Sequence, residues 1–220
     1  MQGRHNLAGM GQLPDLREAR RRLGLALDAL CHDRWVLGYV RDGWLQPIAA
    51  SEVSRRSLRR RPLMPLSRRA LHEKHPIVVN SVIENPNPSD GYDWELDWPA
   101  VLYGPVGELG QRPVGLLVLG CRRDHWYTEE DVAYVYSLGV TLGPMVAALR
   151  EPLGRLSETE NEVAQLLSYG FSAPEISRAI RVDERRARAL VGGVARKLES
   201  VSANQLAFQP VRTKRREFRL

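Results

Sequence analysis

The chain has 220 residues, of which 43% are hydrophobic, and its formal net charge is +6 at pH 7. The hydrophobic share excludes wholesale disorder, and the length allows one large or two small domains. Because the positive excess is largely arginine, the composition permits nucleic-acid binding without requiring it.

The first predicted element is a helix in the segment DLREARRRLGLALDALC, which follows a flexible N-terminus over residues 1–13. Apolar residues in this segment are spaced by three and four positions and include Leu16, Leu23 and Leu30. Such a stripe fits packing against the chain's own sheet, and it fits the seam of a dimer about as well. Both interpretations are open at this point.

Two strands follow, WVLGYV and WLQPIAA, and Asp42-Gly43 between them predicts a tight β-hairpin. The segment Arg55–Arg69 then carries seven arginines, and its prolines argue against one continuous helix. We favour a solvated surface for this segment over a direct phosphate site. A short helix and a strand over Ile77–Val79 come next.

A long polar loop, ENPNPSDGYDWELDW, leads into two apolar strands, AVLYGPV and RPVGLLVLGC. A helix follows from Thr128, and Gly143-Pro144 should kink it. A second stripe on this helix supplies the other half of the predicted dimer seam, through Val135, Leu142 and Leu149.

The order of these elements predicts an α+β domain with flanking helices on an antiparallel sheet, over residues 14–150. Strand signals end at a linker over 151–155, which contains a proline and a glycine. Residues 156–207 indicate an all-α unit, and a basic tail follows over 208–220.

Four segments of the first domain, HPIVVNSV, AVLYGPV, RPVGLLVLG and WYTEEDVAYVYSLGVTLGPMVAAL, resemble the strands and closing helix of GAF domains. The resemblance spans residues 19–150, and Asn80 stands where many members carry aspartate. It implies a sensor or dimerisation domain with a small-molecule pocket beside the sheet, although no cofactor is assigned. Aromatic residues there fit either a pocket or the core, and the candidate pocket comprises Tyr92, Trp94, Trp98, Tyr103 and Cys121.

The segment LSETENEVAQLLSYGFSAPEISRAIRVDERRARALVGGVARKLESVSANQLA resembles a LuxR-type (NarL/FixJ-like) helix-turn-helix of bacterial transcription regulators. It covers residues 156–207, with positions such as Glu160, Gly170 and Glu175 in register without a gap. The resemblance implies that DNA is a partner. The chain departs from the family at Arg181, where the turn usually carries glycine.

The predicted recognition helix, DERRARALVGGVARKL, carries two adjacent glycines, and each costs a helix interior about 1 kcal/mol relative to alanine. At 100° per residue, Ala187, Val191, Val194 and Leu198 form one face, opposite small residues ringed by arginines. Such a face suits close approach to a DNA major groove. The predicted DNA-binding residues are Ser172, Arg185, Arg186, Arg188, Ala189, Gly192, Gly193, Arg196 and Lys197.

No Walker loop, nucleophile elbow or metalloprotease motif is present, so we expect no enzymatic activity. Cys31 and Cys121 form no CxxC motif, and we expect both to be buried, inert, reduced thiols. No metal site is assigned to His72 and His75, or to the acidic residues of the long loop, Asp90, Asp93, Glu95 and Asp97.

These features together predict a homodimeric, cytoplasmic transcription regulator. No membrane partner is expected, because no apolar run approaches the roughly 18 residues of a spanning helix. The alternative is a dimerisation and interaction module whose helix-turn-helix has lost DNA.

Overall fold

The computed structural model describes residues 16–51, 59–80, 98, 100–121 and 126–198. The helices in these ranges are α1 (Leu16–Leu27), α2 (Pro65–Glu73), α3 (Glu129–Gly154), α4 (Glu158–Ser168), α5 (Ala173–Ile180) and α6 (Glu184–Leu198). The strands are β1 (Arg34–Arg41), β2 (Trp44–Ala50), β3 (Arg61–Pro62), β4 (Ile77–Val79), β5 (Ala100–Val106) and β6 (Gly115–Cys121). The predictions for residues 1–13, 208–220, Tyr92, Trp94 and the four acidic loop residues lie outside the described residues.

The described strands form one antiparallel sheet in the order β3-β2-β1-β6-β5-β4. This confirms the predicted α+β class of the first domain. Asp42 and Gly43 both have positive φ, 51° and 78°, which is the backbone of a two-residue hairpin turn and confirms the predicted hairpin. Arg41 pairs with Trp44 across this turn. The short strand β3 was not predicted.

Alternating side chains of the central strands build two separate hydrophobic cores, one on each face of the sheet. The first core, which α1 and α3 cover, includes Leu37, Leu102 and Leu117. The second core, which α2 covers, includes Val101 and Val118. The sheet is therefore buried on both faces, which explains why β5 and β6 are apolar at consecutive positions.

Helix α3 begins at Glu129 and is capped by Thr128, whose side chain and that of Asp131 form a capping box. It runs without interruption through Pro144 and through most of the segment predicted as a linker over 151–155. The segment is helical up to Gly154 because residues near the helix end, such as Leu149 and Leu153, are buried in the first core and hold the helix together. The free energy of this burial outweighs the tendency of Pro152 and Gly154 to end a helix.

Helix α3 lies close to β5 because two of its residues lack side chains. A Cβ at Gly139 would meet the carbonyl oxygen of Pro105, and a Cβ at Gly143 would lie 2.7 Å from the carbonyl carbon of Gly107. The helix is long and apolar enough to cross a membrane by length and composition alone. Ten of its residues are buried in the fold, as in a core helix of a soluble protein.

Candidate nucleic-acid interface and sensor face

Helices α4, α5 and α6 form a compact unit in which both shorter helices contact α6. Each helix start is defined by a side chain that bonds backbone amides: Ser157 caps α4 together with Glu160, and Asp183 accepts a hydrogen bond from the Arg186 amide at 2.8 Å. Gly170, which follows the C-cap residue Tyr169 of α4, has φ 85°, a backbone conformation that favours glycine at the end of a helix. The turn before α6 contains Arg181 at φ 58° and ψ 49°.

The two faces of α6 lie as the helical periodicity predicts. Ala187, Val191, Val194 and Leu198 are buried in the first core cluster, together with residues of α4 and α5. On the opposite side, a set of the predicted DNA-binding residues is exposed, comprising Arg185, Arg186, Arg188, Ala189 and Arg196. Arg188 forms an i,i+4 ion pair with Glu184, and its side chain is 69% exposed.

Packing among the described residues does not require either glycine of α6. A Cβ at Gly192 would lie 3.6 Å from the Arg196 guanidinium, and a Cβ at Gly193 would lie 3.6 Å from a Glu160 carboxylate oxygen. Both distances are ordinary van der Waals contacts, so alanine fits at either position. The internal fold therefore gives no reason for these helix-weakening residues.

Two of the predicted DNA contacts are engaged within the protein. Lys197 Nζ donates to both Glu160 carboxylate oxygens at 2.7 and 2.6 Å and to the Arg155 carbonyl at 3.4 Å. Ser172 donates its amide and hydroxyl protons to Glu175 at 2.7 and 2.6 Å. Lys197 thus holds α6 against α4, and Ser172 forms a capping box at the start of α5. Both residues therefore stabilise the helical unit.

The carboxylates in these contacts have lowered pKa values. Hydrogen bonds from Lys197, followed by those from Ser157, hold the pKa of Glu160 below its ordinary range. Hydrogen bonds from Ser172 lower the pKa of Glu175 in the same way. Both side chains are therefore ionised acceptors at neutral pH.

The helical unit docks against the edge of the sheet. Gln165 Nε2 donates to the Pro47 carbonyl at 2.9 Å, and this side chain is buried. The Tyr169 hydroxyl bonds to Ala50, and the Arg20 guanidinium lies 3.9 Å above the Tyr169 ring. Strand β3 pairs only with the start of β2, at Trp44 and Leu45. Helix α4 and the turn after it cover backbone groups in the rest of β2, at Pro47 and Ala50.

The predicted ligand pocket is not one site. Trp98 and Tyr103 are fully buried in the second core, whereas Cys121 is buried in the first core on the other face of the sheet. Tyr103 and Cys121 are separated in this way because successive side chains along β5 and β6 point to opposite faces of the sheet. Both aromatic side chains are packed as core residues.

The predicted dimer seam is also occupied by the chain itself. Among its residues, Leu23, Leu30, Val135, Leu142 and Leu149 are all buried in the first core, while the side chain of Leu16 lies outside the described part. The stripes of α1 and α3 pack on the sheet, which is one of the two interpretations left open by their spacing. The five described seam residues are therefore covered by the chain itself.

A cavity of about 760 Å³ lies where the β1–β2 turn, the end of α2 and the segment before β6 meet. Its described lining includes one carboxylate, Asp42, and five basic side chains: Arg68, His72, Lys74, Arg112 and Arg150. Sequence reasoning missed it because these residues come from four separate segments. The only available signal was the arginine-rich segment, which contains Arg68.

We expected two separate, buried and inert thiols, but the two cysteine side chains lie in contact. Cys31 Sγ and Cys121 Sγ are 2.8 Å apart although the residues are 90 positions apart in sequence. The Tyr127 hydroxyl donates to the Cys31 carbonyl at 3.1 Å. Burial, and then the nearby sulfur atoms, raise the pKa of Tyr127 well above its ordinary value, so its hydroxyl is a fixed donor.

Comparison with known proteins agrees with this architecture. No family model matches the chain, and no curated protein matches it. The GAF domain of a phosphoenolpyruvate-protein phosphotransferase from Coxiella burnetii is 23% identical, with a TM-score of 0.52 over 68% of this chain and 96% of that one. The corresponding Acinetobacter domain is 12% identical, with a TM-score of 0.53 over 68% and 97%.

A third solved structure, the GAF domain region of a putative membrane protein from Geobacter sulfurreducens, is 18% identical with a TM-score of 0.52. It covers 64% of this chain and 97% of that one. At these identities the likeness concerns the fold alone. The N-terminal part of this chain, with its six-stranded antiparallel sheet and flanking helices, has the fold of a GAF domain.

Proposed function

We propose that this protein is a DNA-binding transcription regulator in which a GAF-fold sensor is joined to a LuxR-type helix-turn-helix over residues 156–207. The observation that carries the proposal is the outer face of α6. Exposed arginines surround Ala189 and Gly192 there, while the inner face is buried. Small side chains allow close approach to a major groove, and arginines bind phosphates and guanine edges.

Two copies of α6, related by a two-fold axis, would read a roughly palindromic site about one helical turn apart. A homodimer is therefore part of the proposal. Its contact surface has to lie away from the stripes that contain Leu23 and Val135, since those are core. Sedimentation of the full chain at tens of micromolar measures the subunit count, and a monomer there contradicts this part of the proposal.

DNA binding is tested by fluorescence anisotropy of labelled genomic fragments across a salt series. We expect affinity to fall with salt, because each phosphate contact releases counterions. Arg188→Ala should weaken binding and, if Arg188 holds a phosphate, lower the salt slope by about one unit. Arg69→Ala is the matched control, because Arg69 forms the same i,i+4 ion pair with Glu73 on α2.

The alternative is an interaction module in which the GAF-fold domain mediates dimerisation and protein contacts and the helix-turn-helix has lost DNA. It predicts no salt-dependent DNA binding by the wild-type chain. The proposal assigns no catalytic step to the chain, and within the described residues no group of three or more His, Cys, Asp or Glu side chains is placed to hold a metal. Turnover that persists through repurification would contradict this assignment.

For the sensor, the proposed ligand is a small anion in the cavity between α2 and the segment before β6. Arg68, Arg112 and Arg150 converge on this cavity, and guanidinium groups form forked hydrogen bonds with carboxylates and phosphates. Pyrophosphate and citrate are suitable probes in calorimetry of the full chain. We expect Arg112→Ala to abolish binding of the probe and Arg69→Ala to leave it unchanged.

A further inference from the structure

The two cysteines of this chain meet at the edge of the first core. Cys31 follows α1, and Cys121 is the last residue of β6. Their sulfur atoms are 2.8 Å apart and are not bonded to each other. The Asp33 amide donates to the Gly120 carbonyl at 2.9 Å, and this bond holds the segment after α1 beside the end of β6.

The backbone around this pair is fixed from a second direction. The Tyr127 hydroxyl bonds to the Cys31 carbonyl at 3.1 Å, and Tyr127 is itself buried. Asn80 holds the backbone of Tyr127 at both ends, accepting from its amide at 2.8 Å and donating to its carbonyl at 3.2 Å. The segment after α1, the end of β6, and the residues that follow β4 and precede α3 therefore keep the sulfur atoms together.

We propose that Cys31 and Cys121 are a reversible oxidation site that closes an intrachain disulfide. A disulfide has an S–S length of about 2.05 Å, so the two sulfur atoms need to approach by less than about 1 Å. The site is distinct from the proposed DNA interface on α6 and from the anion cavity. The proposed oxidation of the cysteines does not depend on DNA binding by α6 or on anion binding in the cavity.

The exposure of the two residues assigns their roles. Cys31 is half-buried, whereas Cys121 is fully buried, so the proposal assigns the first reaction with a dissolved oxidant to Cys31. With a hydroperoxide as oxidant, the Cys31 thiolate attacks the terminal oxygen, which breaks the O–O bond, forms a sulfenic acid and releases an alcohol, or water from hydrogen peroxide. Two electrons pass from the thiols to the peroxide over the whole sequence.

In the second step the Cys121 sulfur attacks the Cys31 sulfur. The S–S bond forms as the S–O bond of the sulfenic acid breaks, and the hydroxide leaves as water with the proton of Cys121. The sum is two thiols and one hydroperoxide giving one disulfide, one alcohol and one water. A dithiol restores both thiols by exchange.

The test is intact-mass spectrometry of the folded, reduced full chain before and after hydrogen peroxide. We expect the chain to lose the mass of two hydrogen atoms and both titratable thiols. On denaturing, non-reducing electrophoresis it should run as a single chain, because the disulfide does not join two chains. Because the bond closes a loop of about 90 residues, the melting temperature should rise by about 5–15 °C, and dithiothreitol should reverse it.

Two variants separate the roles of the cysteines. Cys121→Ala should accumulate a sulfenic acid on Cys31 that dimedone traps, whereas Cys31→Ser should remain unoxidised because its remaining thiol is buried. The proposal is overturned if the wild-type chain keeps both thiols, if it gains oxygen atoms without losing hydrogen, or if its disulfide joins two chains. Because the wild type alone decides these outcomes, a misfolded variant does not obscure them.

Discussion

The Tyr169 hydroxyl bonds to both backbone groups of Ala50: it donates to the carbonyl at 2.6 Å and accepts from the amide at 3.2 Å. Ala50 is the last residue of β2, and its backbone pairs with Val36 on the other side. A side chain from the helical unit thus bonds the backbone groups of β2 that point away from β1 at this end of the sheet. The GAF-fold part and the unit of helices α4, α5 and α6 share the first core and are also joined by this polar contact.

Tyr169→Phe should lower the free energy of unfolding by about 1–3 kcal/mol, because it leaves the buried Ala50 amide without a partner. The Ala50 carbonyl keeps its bond from Arg20 at 3.3 Å, and the phenylalanine ring keeps the contact with that guanidinium. Urea denaturation measures the loss, and hydrogen exchange should speed up at the Ala50 amide.

The matched control is Tyr134→Phe, which removes one hydrogen bond to the Ala26 carbonyl at 2.8 Å on the far side of α1. It should cost about 1 kcal/mol or less and leave exchange at Ala50 unchanged. Equal exchange at Ala50 in both variants contradicts the docking role of Tyr169.

Leu23→Ala should lower the free energy of unfolding by about 2–5 kcal/mol, since it deletes a fully buried side chain and leaves a cavity. Leu23 is 1% exposed, whereas Leu25 on the same helix is 57% exposed. Leu25→Ala is therefore the control and should change stability by less than about 0.5 kcal/mol. If Leu23→Ala changes only the subunit count and not the stability, the core assignment of this stripe is wrong.

The features that could be predicted from the sequence are those that depend on residues close together in the chain. The Asp42-Gly43 turn follows from two residues that tolerate positive φ, and the buried face of α6 follows from the spacing of Ala187, Val191 and Val194. The exposed arginines of α6 follow from the same periodicity. Each of these features needs only residues close together in the chain.

Long-range features could not be predicted in this way. Cys31 meets Cys121 only because the segment after α1 lies beside β6, and Tyr103 faces away from Cys121 only because β5 and β6 pair in one register. A shift by one residue would reverse the faces. The anion cavity likewise needs four segments to converge, and no local pattern reports that.

Lys197→Met should raise the pKa of Glu160 toward its ordinary value of 4.5, because hydrogen bonds from Lys197 are the largest cause of its lowering. A lowered pKa in the folded state stabilises the protein above about pH 4.5, and this contribution is lost as the pH falls through the folded pKa. The variant should therefore lose stability at neutral pH and show a flatter decline toward acid.

Carboxyl NMR titration measures this change. Glu175 is the internal control, because Ser172 alone supplies the hydrogen bonds that lower its pKa. Its titration should be the same in the wild-type and variant chains. An unchanged Glu160 titration in Lys197→Met contradicts the ion pair.

Arg181→Gly should raise the free energy of unfolding by about 0.5–1 kcal/mol. Arg181 has φ 58° and ψ 49°, a left-handed conformation that glycine adopts without steric cost. The gain is limited because glycine also increases the entropy of the unfolded chain. Arg178→Gly, inside α5 three residues earlier, is the control and should destabilise by about 1 kcal/mol. Destabilisation by Arg181→Gly contradicts the strain at this turn.

The glycines of α6 give the sharpest test of the proposed DNA interface. Gly192→Ala should stabilise the helix by up to about 1 kcal/mol, since its Cβ would meet only the Arg196 guanidinium. Gly192→Leu should leave the fold intact but weaken DNA binding about tenfold or more, which corresponds to about 1.4 kcal/mol, because its bulk separates the helix from the groove. Gly24→Ala on α1 is the control, because no described atom lies within 4 Å of a Cβ at Gly24: it should stabilise its own helix with little effect on DNA affinity. Anisotropy and thermal melting of the same samples separate the two effects. If the wild type binds DNA in a salt-dependent way and Gly192→Leu binds equally well, then α6 does not approach DNA through this face.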